Sequence, residues 1–309
     1  MANKTPYTIA DQIALLKERG MIFRNETEAF RFLRNISYYR LKGYWWEMQE
    51  DYVLHKFKPN TYFEDIANHY DFDRRLRLIL FDAIEHIEIA LRTKIIYHLS
   101  ITYGAIWYKN ISLFDNTITN NTAITVHQNI ITELQKEFNR SQEIFIKDQR
   151  TRFPNQDPDA WKILEVASMG TLSKLYKSLK HQLPEKAIIA KEMGLNLHTK
   201  LSSWLEAITY ARNIIAHHSR PWGRTMVKRP IEKINNPIGL WFNNALLPVQ
   251  TKKPFLIISC MLYLCNQISP SHQIKTKVIE LFNSNPSIPI YKLGFLDDWN
   301  NEPIWNQLS

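Results

Sequence analysis

Only two of the 309 residues are cysteines, Cys260 and Cys265. They stand five apart inside an apolar helical pattern, which excludes a disulfide framework and offers no zinc-binding spacing. They read as small buried hydrophobes of a protein in a reducing compartment. Long apolar runs are also missing. The longest, from Pro254 to Cys265, falls well short of the roughly 20 residues that cross a bilayer, and Met1 to Tyr7 has no apolar signal core. The expectation is a cytoplasmic protein with no membrane partner. No internal repeat or low-complexity tract is evident. Acidic residues are the minority charge, 30 Asp and Glu against 39 Lys and Arg. That imbalance favours a polyanionic partner, with nucleic acid the first choice.

What is present is ample material for a core: 45% hydrophobic and 12% aromatic residues over a length that suits one large or two modest domains. The periodicity is helical almost throughout. Thr8 with Asp11, and Asn25 with Glu28, read as N-caps of two short helices, the first stopped at Gly20. The pair is a packed hairpin or, with less support from charge, a helix-turn-helix. Tyr38 to Trp46 interleaves aromatics with Arg40 and Lys42. This reads either as a core strand or turn, or as a surface on which Tyr44 stacks unpaired bases while the cations hold phosphates. A long core helix is predicted over 73–99. Its opposite side carries Arg74, Arg77, Phe81, Glu85, Glu88 and Arg92, read as a solvated stripe or as a source of ion-pair partners. A weakly ordered connection over 101–121 follows. Helical patterns then return over 122–148, from Trp161, over 169–180, 184–194 and 198–218. Three more are predicted over 237–247, 254–268 and 272–282, before an irregular tail containing Pro286, Pro289 and Trp299. The fold class is all-α, divided into an N-terminal helical segment (1–56), a helical core (57–222) and a C-terminal helical segment (223–309).

The stretch from Trp204 to Trp222 concentrates the chemistry. Leu201, Trp204, Leu205, Ile208, Ala211 and Ile215 make a buried helical face, and Pro221 ends the helix near Ser219. Arg212 falls inside the apolar arc, where a guanidinium calls for a partner. Asn213 and His217 share a face, whereas Arg212 and His217 diverge by roughly 140°. Two readings stand. Arg212 is a structural ion-pair former and His217 and His218 a helix C-cap, or they are an acid/base and an anion stabiliser for phosphoryl chemistry, joined by a distorted helix end or across a two-fold axis. Arg220, Arg224, Lys228 and Arg229 follow at once, as an edge for phosphates or as a solvated linker.

R-N-I-I-A-H is similar to the Arg-Asn-x-x-x-His motif of the HEPN superfamily of helical domains. The longer R-N-I-I-A-H-H-S-R-P-W-G-R joins D-R-R-L-R-L-I-L-F-D-A-I-E-H-I-E-I-A-L-R from Asp73, W-K-I-L-E-V-A-S-M-G-T-L-S-K-L-Y from Trp161 and G-F-L-D-D-W-N-N-E-P-I-W from Gly294. Together they resemble the Abi-like family of bacterial abortive-infection proteins, from about Tyr7 to Trp305. The resemblance implies a HEPN-like helical core and a metal-independent ribonuclease of phage defence, with no cofactor. The ribose 2′-OH would attack the adjacent phosphate, His217 acting as acid/base, Arg212 stabilising the added charge and Asn213 orienting His217, with His218 beside them. It also implies RNA as partner, for which the candidate contacts are the interleaved Arg40, Lys42 and Tyr44 and the basic run of Arg220, Arg224, Lys228 and Arg229. The divergence of Arg212 and His217, with a single motif in a family of paired motifs, calls for a homodimer in which an RNA phosphate or a carboxylate such as Glu85 or Glu88 answers Arg212. Rival implications are a non-catalytic protein holding a structured RNA, and a protein-binding regulator.

Overall fold

The computed structural model describes residues 6–115 and 124–306. The protein is predominantly α-helical, as expected: thirteen α-helices among the described residues, with one two-stranded antiparallel hairpin of Gln49–Asp51 (β1) and Lys56–Phe57 (β2). No helix among these residues is long and apolar enough to cross a membrane. The chain groups into two compact units, 1–78 with 279–289 and 79–278 with 290–309.

The first unit opens with α1 (Ile9–Glu18) and α2 (Glu26–Asn35), packed against each other as a helical hairpin. Thr8 Oγ accepts from the Asp11 N–H while the Asp11 carboxylate accepts from the Thr8 N–H, both at 3.1 Å, a complete capping box. Asn25 caps α2 by accepting from the Glu28 N–H at 3.0 Å. Gly20 stops α1 at φ +91°, a conformation that costs glycine nothing. Tyr38–Trp45 is a helix, α3, rather than the strand or turn expected, with the Ser37 side chain as its N-cap. Leu41, Tyr44 and Trp45 recur at i, i+3 and i+4 and form its buried face, a spacing that the density of aromatics obscures.

The predicted helix over 73–99 extends at both ends. It is α4, Phe63–Tyr103, 41 residues that run through both units, with Glu64 and Asp65 in the first turn where acids suit the helix dipole. Arg77 does not belong to a solvated stripe. It is 5% exposed and ion-paired with Asp73, itself fully buried, to which the Tyr44 hydroxyl donates at 2.7 Å.

The second unit contains α4 from Ile79, then α5 (Val126–Arg140), α6 (Ile144–Arg152), α7 (Ala160–Ile163), α8 (Met169–Ser178), α9 (Pro184–Glu192), α10 (His198–Ala216), α11 (Pro248–Lys252), α12 (Pro254–Ile268) and the start of α13 (Ile274–Asn283). The Trp161 helix is a single turn. Beyond it the chain breaks, and Arg92 of α4 donates to the carbonyls of Leu164 (3.0 Å) and Ala167 (2.9 Å) at the break. Residues 101–103 complete α4 and 104–115 are an ordered connection, contrary to expectation: Trp107, Tyr108, Leu113 and Phe114 are buried around two 3-10 turns, and the His127 ring bonds the Tyr108 carbonyl at 2.8 Å. The remainder of that predicted connection, 116–121, lies outside the described residues, as does the start of the 122–148 helix.

No helix forms over 237–247. Pro237 and Gly239 oppose one, and the N–H groups of Ile238 and Gly239 instead donate to the Tyr263 hydroxyl, both at 3.1 Å. α12 is buried all round from Pro254 to Cys265 and is the core of this unit. The tail crosses it as short turns, with Trp305 fully buried and its indole N–H donating to Ser259 Oγ at 2.9 Å.

Candidate functional site

The chemistry-bearing motif sits at the C-terminal end of α10. The predicted apolar face is buried in full: Leu201, Trp204, Leu205, Ile208, Ala211 and Ile215, with Ile214 besides. Trp204 anchors it, its indole N–H donating to the Ile231 carbonyl at 2.8 Å. The Ile231 N–H in turn donates to Ser203 Oγ at 3.1 Å, so the chain that leaves the helix is laid back along it.

The helix ends by a Schellman closure. Ser219 N–H donates to the Ile214 carbonyl and His218 N–H to the Ile215 carbonyl, both at 2.9 Å, around the cap residue His217. The left-handed position, usually glycine, is His218 at φ +54°. Histidine is one of the few side chains enriched there, but the geometry carries some strain. The backbone groups at the helix end are therefore satisfied within the chain.

His217, His218 and Asn213 are exposed and Arg212 is half-buried. Asn213 and His217 lie one turn apart, the Asn213 carbonyl accepting from the His217 N–H at 3.2 Å. α10 stays helical through Ala216, so Arg212 and His217 leave it in different directions, as the spacing requires. One copy of the chain does not join them. The partner expected for Arg212 is missing too: no described residue forms a hydrogen bond or ion pair with its guanidinium. Glu85 is exposed, and Glu88 is ion-paired with Arg92 at 2.8 Å rather than with Arg212. An arginine half-withdrawn from water without a counter-charge is costly unless it serves an anion that comes and goes.

The basic run beyond the helix is partly engaged in local structure. Arg224 Nε donates to the Arg220 carbonyl at 2.9 Å and Arg229 Nε to the Met226 carbonyl at 3.3 Å. Lys228 reaches Glu206 at 2.6 Å. Glu206 is the sole acid of α10 and also holds Lys177 at 2.7 Å. Those two hydrogen bonds keep the Glu206 carboxyl below the usual carboxylate range. Sequence reading overlooked Glu206, although a single acid on a helix beside a basic run was its available signal.

Arg40, Lys42 and Tyr44 belong to the first unit, the motif to the second. Arg40 is exposed, and the Lys42 ammonium lies 5.3 Å from the centre of the Trp46 ring. Tyr44 is turned inward, 5% exposed, which removes it as a platform for bases. Among the described residues the aromatics this unit presents outward are Tyr7, Phe30, Tyr39, Trp46 and Tyr52. Among the described residues no group of three His, Cys, Asp or Glu side chains is placed to hold a metal ion.

The arrangement at the end of α10 offers an accessible imidazole, an amide on the same face and a cation without a partner. These are the parts of acid/base chemistry on an anionic centre. A family model described as Abi-like protein matches residues 31–223, a span that ends just beyond this motif. No curated protein and no solved structure gives a significant match.

Proposed function

The chain belongs to the Abi-like protein family, and from that premise we propose that it is an abortive-infection effector acting on RNA as a metal-independent ribonuclease of the HEPN type. Membership suggests a role in phage defence; the ribonuclease reading rests on the end of α10. The observation that carries it is the half-buried Arg212 without a counter-charge, on the helix that presents Asn213 and His217. In the reaction the ribose 2′-oxygen bonds to the adjacent phosphorus and the bond to the 5′-oxygen breaks, leaving a 2′,3′-cyclic phosphate and a free 5′-OH. An imidazole takes the 2′-OH proton and returns one to the 5′-oxygen. His217 performs this work, its exposed imidazole having one ring nitrogen to take a proton and one to give it. Arg212 stabilises the charge added at phosphorus.

Because Arg212 and His217 diverge on one straight helix, the working site combines two copies of the chain about a two-fold axis, the Arg of one facing the His of the other. The divergence also favours a second reading: a protein that binds RNA without cutting it, if no such pairing occurs.

The test is incubation of the purified chain with labelled RNA, with and without EDTA. Cleavage that EDTA leaves unchanged, ends in a cyclic phosphate and falls ~100-fold or more in His217→Ala is the expected result. Replacing His218 by glycine should leave cleavage within about twofold, since glycine fits the left-handed position. Mixed Arg212→Ala and His217→Ala subunits should recover part of the activity. RNA binding without cleavage selects the second reading.

A further inference from the structure

A cavity of the second unit lies away from the motif, between the second half of α8 and the first half of α10. It is a cleft of about 820 Å³, within the range of sites that enclose small molecules. Its wall on α8 carries Lys174 and Lys177, three apart and so on one face, with Ser178 below them. Its wall on α10 carries Thr199, Ser202, Ser203 and Glu206, while Lys186 and His181 close one end. Lys174 is exposed and has no ion-pair partner among the described residues. Lys186 is buried, its ammonium donating to the carbonyls of Lys177 (3.0 Å) and Leu179 (2.5 Å).

Two observations identify the ligand chemistry. The first is Glu206, whose two carboxylate oxygens are held by the ammonium groups of Lys177 and Lys228 at 2.7 and 2.6 Å. The clamp is an oxyanion site already assembled and filled by an internal carboxylate. A phosphate offers one more oxygen and up to twice the charge, and Lys174 stands free beside the clamp to receive it. The second is the exposed ring of His181, which lines the cleft and is backed by the His198 ring with centroids 5.0 Å apart. An accessible imidazole held in place by a second ring offers a flat face to a heterocycle. Asp115, 3.9 Å from His181, and Glu206 are the acids facing the cleft.

We propose that this cleft binds a phosphorylated small molecule of nucleotide size, its phosphates on Lys174 and Lys177 and its ring towards His181. None of these residues takes part in the proposed cleavage chemistry, so the site stands or falls independently of it.

The experiment is calorimetric titration of the full chain with ATP as probe at fixed ionic strength, beside pyrophosphate and adenosine. ATP is expected to bind saturably, and more tightly than either fragment. Lys174→Ala and Lys177→Ala should each weaken it about tenfold or more, as expected for loss of a hydrogen bond to a charged group. Glu206→Gln, which releases a clamped lysine, should tighten it. Both lysines are surface residues, and circular dichroism checks that the variants fold; Lys177→Gln, which keeps the side-chain length, serves where alanine disturbs α8. Absence of saturable binding at millimolar ATP overturns the proposal, and so does binding that neither lysine variant changes. Displacement of ATP by a single-stranded RNA with the same lysine dependence assigns the cleft to an RNA strand and overturns it likewise.

Discussion

Replacing Arg212 separates its structural role from its chemical one, because the two predict opposite balances of stability and activity. Were the guanidinium half of an ion pair in the α10 core, removing it would cost about 3–5 kcal/mol, the penalty for stranding a buried partner. No such partner exists among the described residues, so there is no pair to break. What the folded state gains from Arg212 is the partial burial of its aliphatic stem. Arg212→Met keeps that burial and should leave unfolding within ~0.5 kcal/mol of the parent. Arg212→Ala loses up to two half-buried methylenes, about 1 kcal/mol. Removal of one preorganised donor to a developing anion, by contrast, lowers turnover by roughly 100- to 1,000-fold, equivalent to about 3–4 kcal/mol. Urea unfolding followed by tryptophan fluorescence and cleavage of a labelled RNA, measured on the same preparation of Arg212→Met, give both numbers. A variant destabilised by ~3 kcal/mol, or one that still cleaves within about tenfold of the parent, refutes the reasoning.

In the first unit, Arg77→Met strands the fully buried Asp73 and should cost about 3–5 kcal/mol, whereas adding Asp73→Leu should restore most of the loss; thermal unfolding measures both, and a single-variant cost under ~1 kcal/mol would show that the pair is not desolvated. Burial pushes Lys186 down from 10.5 to about 8. Across that interval the unfolded chain keeps a proton that the folded chain has released, so stability rises with pH between those two values and is flat below them. Melting temperatures across the window should show that rise in the parent and not in Lys186→Met, and parallel profiles would contradict it.

Local signals with a one-to-one chemistry were legible in the chain. The Thr8 and Asn25 caps, the Gly20 stop and the apolar face of α10 all stand where spacing put them. The Arg212 and His217 divergence is likewise a property of the helix and needs no tertiary information. What spacing could not supply was the inward or outward choice among many aromatics: Tyr44 went to Asp73 while Tyr39 and Trp46 stayed outside. Nor could it supply charges consumed by partners remote in sequence. Arg92 is used by the Leu164 and Ala167 carbonyls, and Lys228 by Glu206. The helix expected over 237–247 does not form, and the amides of Ile238 and Gly239 are taken by Tyr263. In each case the deciding group lies more than twenty residues away.

Cys260 and Cys265 are both wholly enclosed in α12, and burial pushes both thiols up, Cys265 to about 12. A thiol that stays protonated and out of reach is a poor nucleophile. The folded chain is thus silent towards maleimide dyes and spin labels while keeping its native cysteines. A reporter cysteine placed at an exposed position such as Glu85 would be the one reactive handle per copy. Distances between two such handles, read by fluorescence transfer or electron resonance, can then be obtained on otherwise unaltered protein.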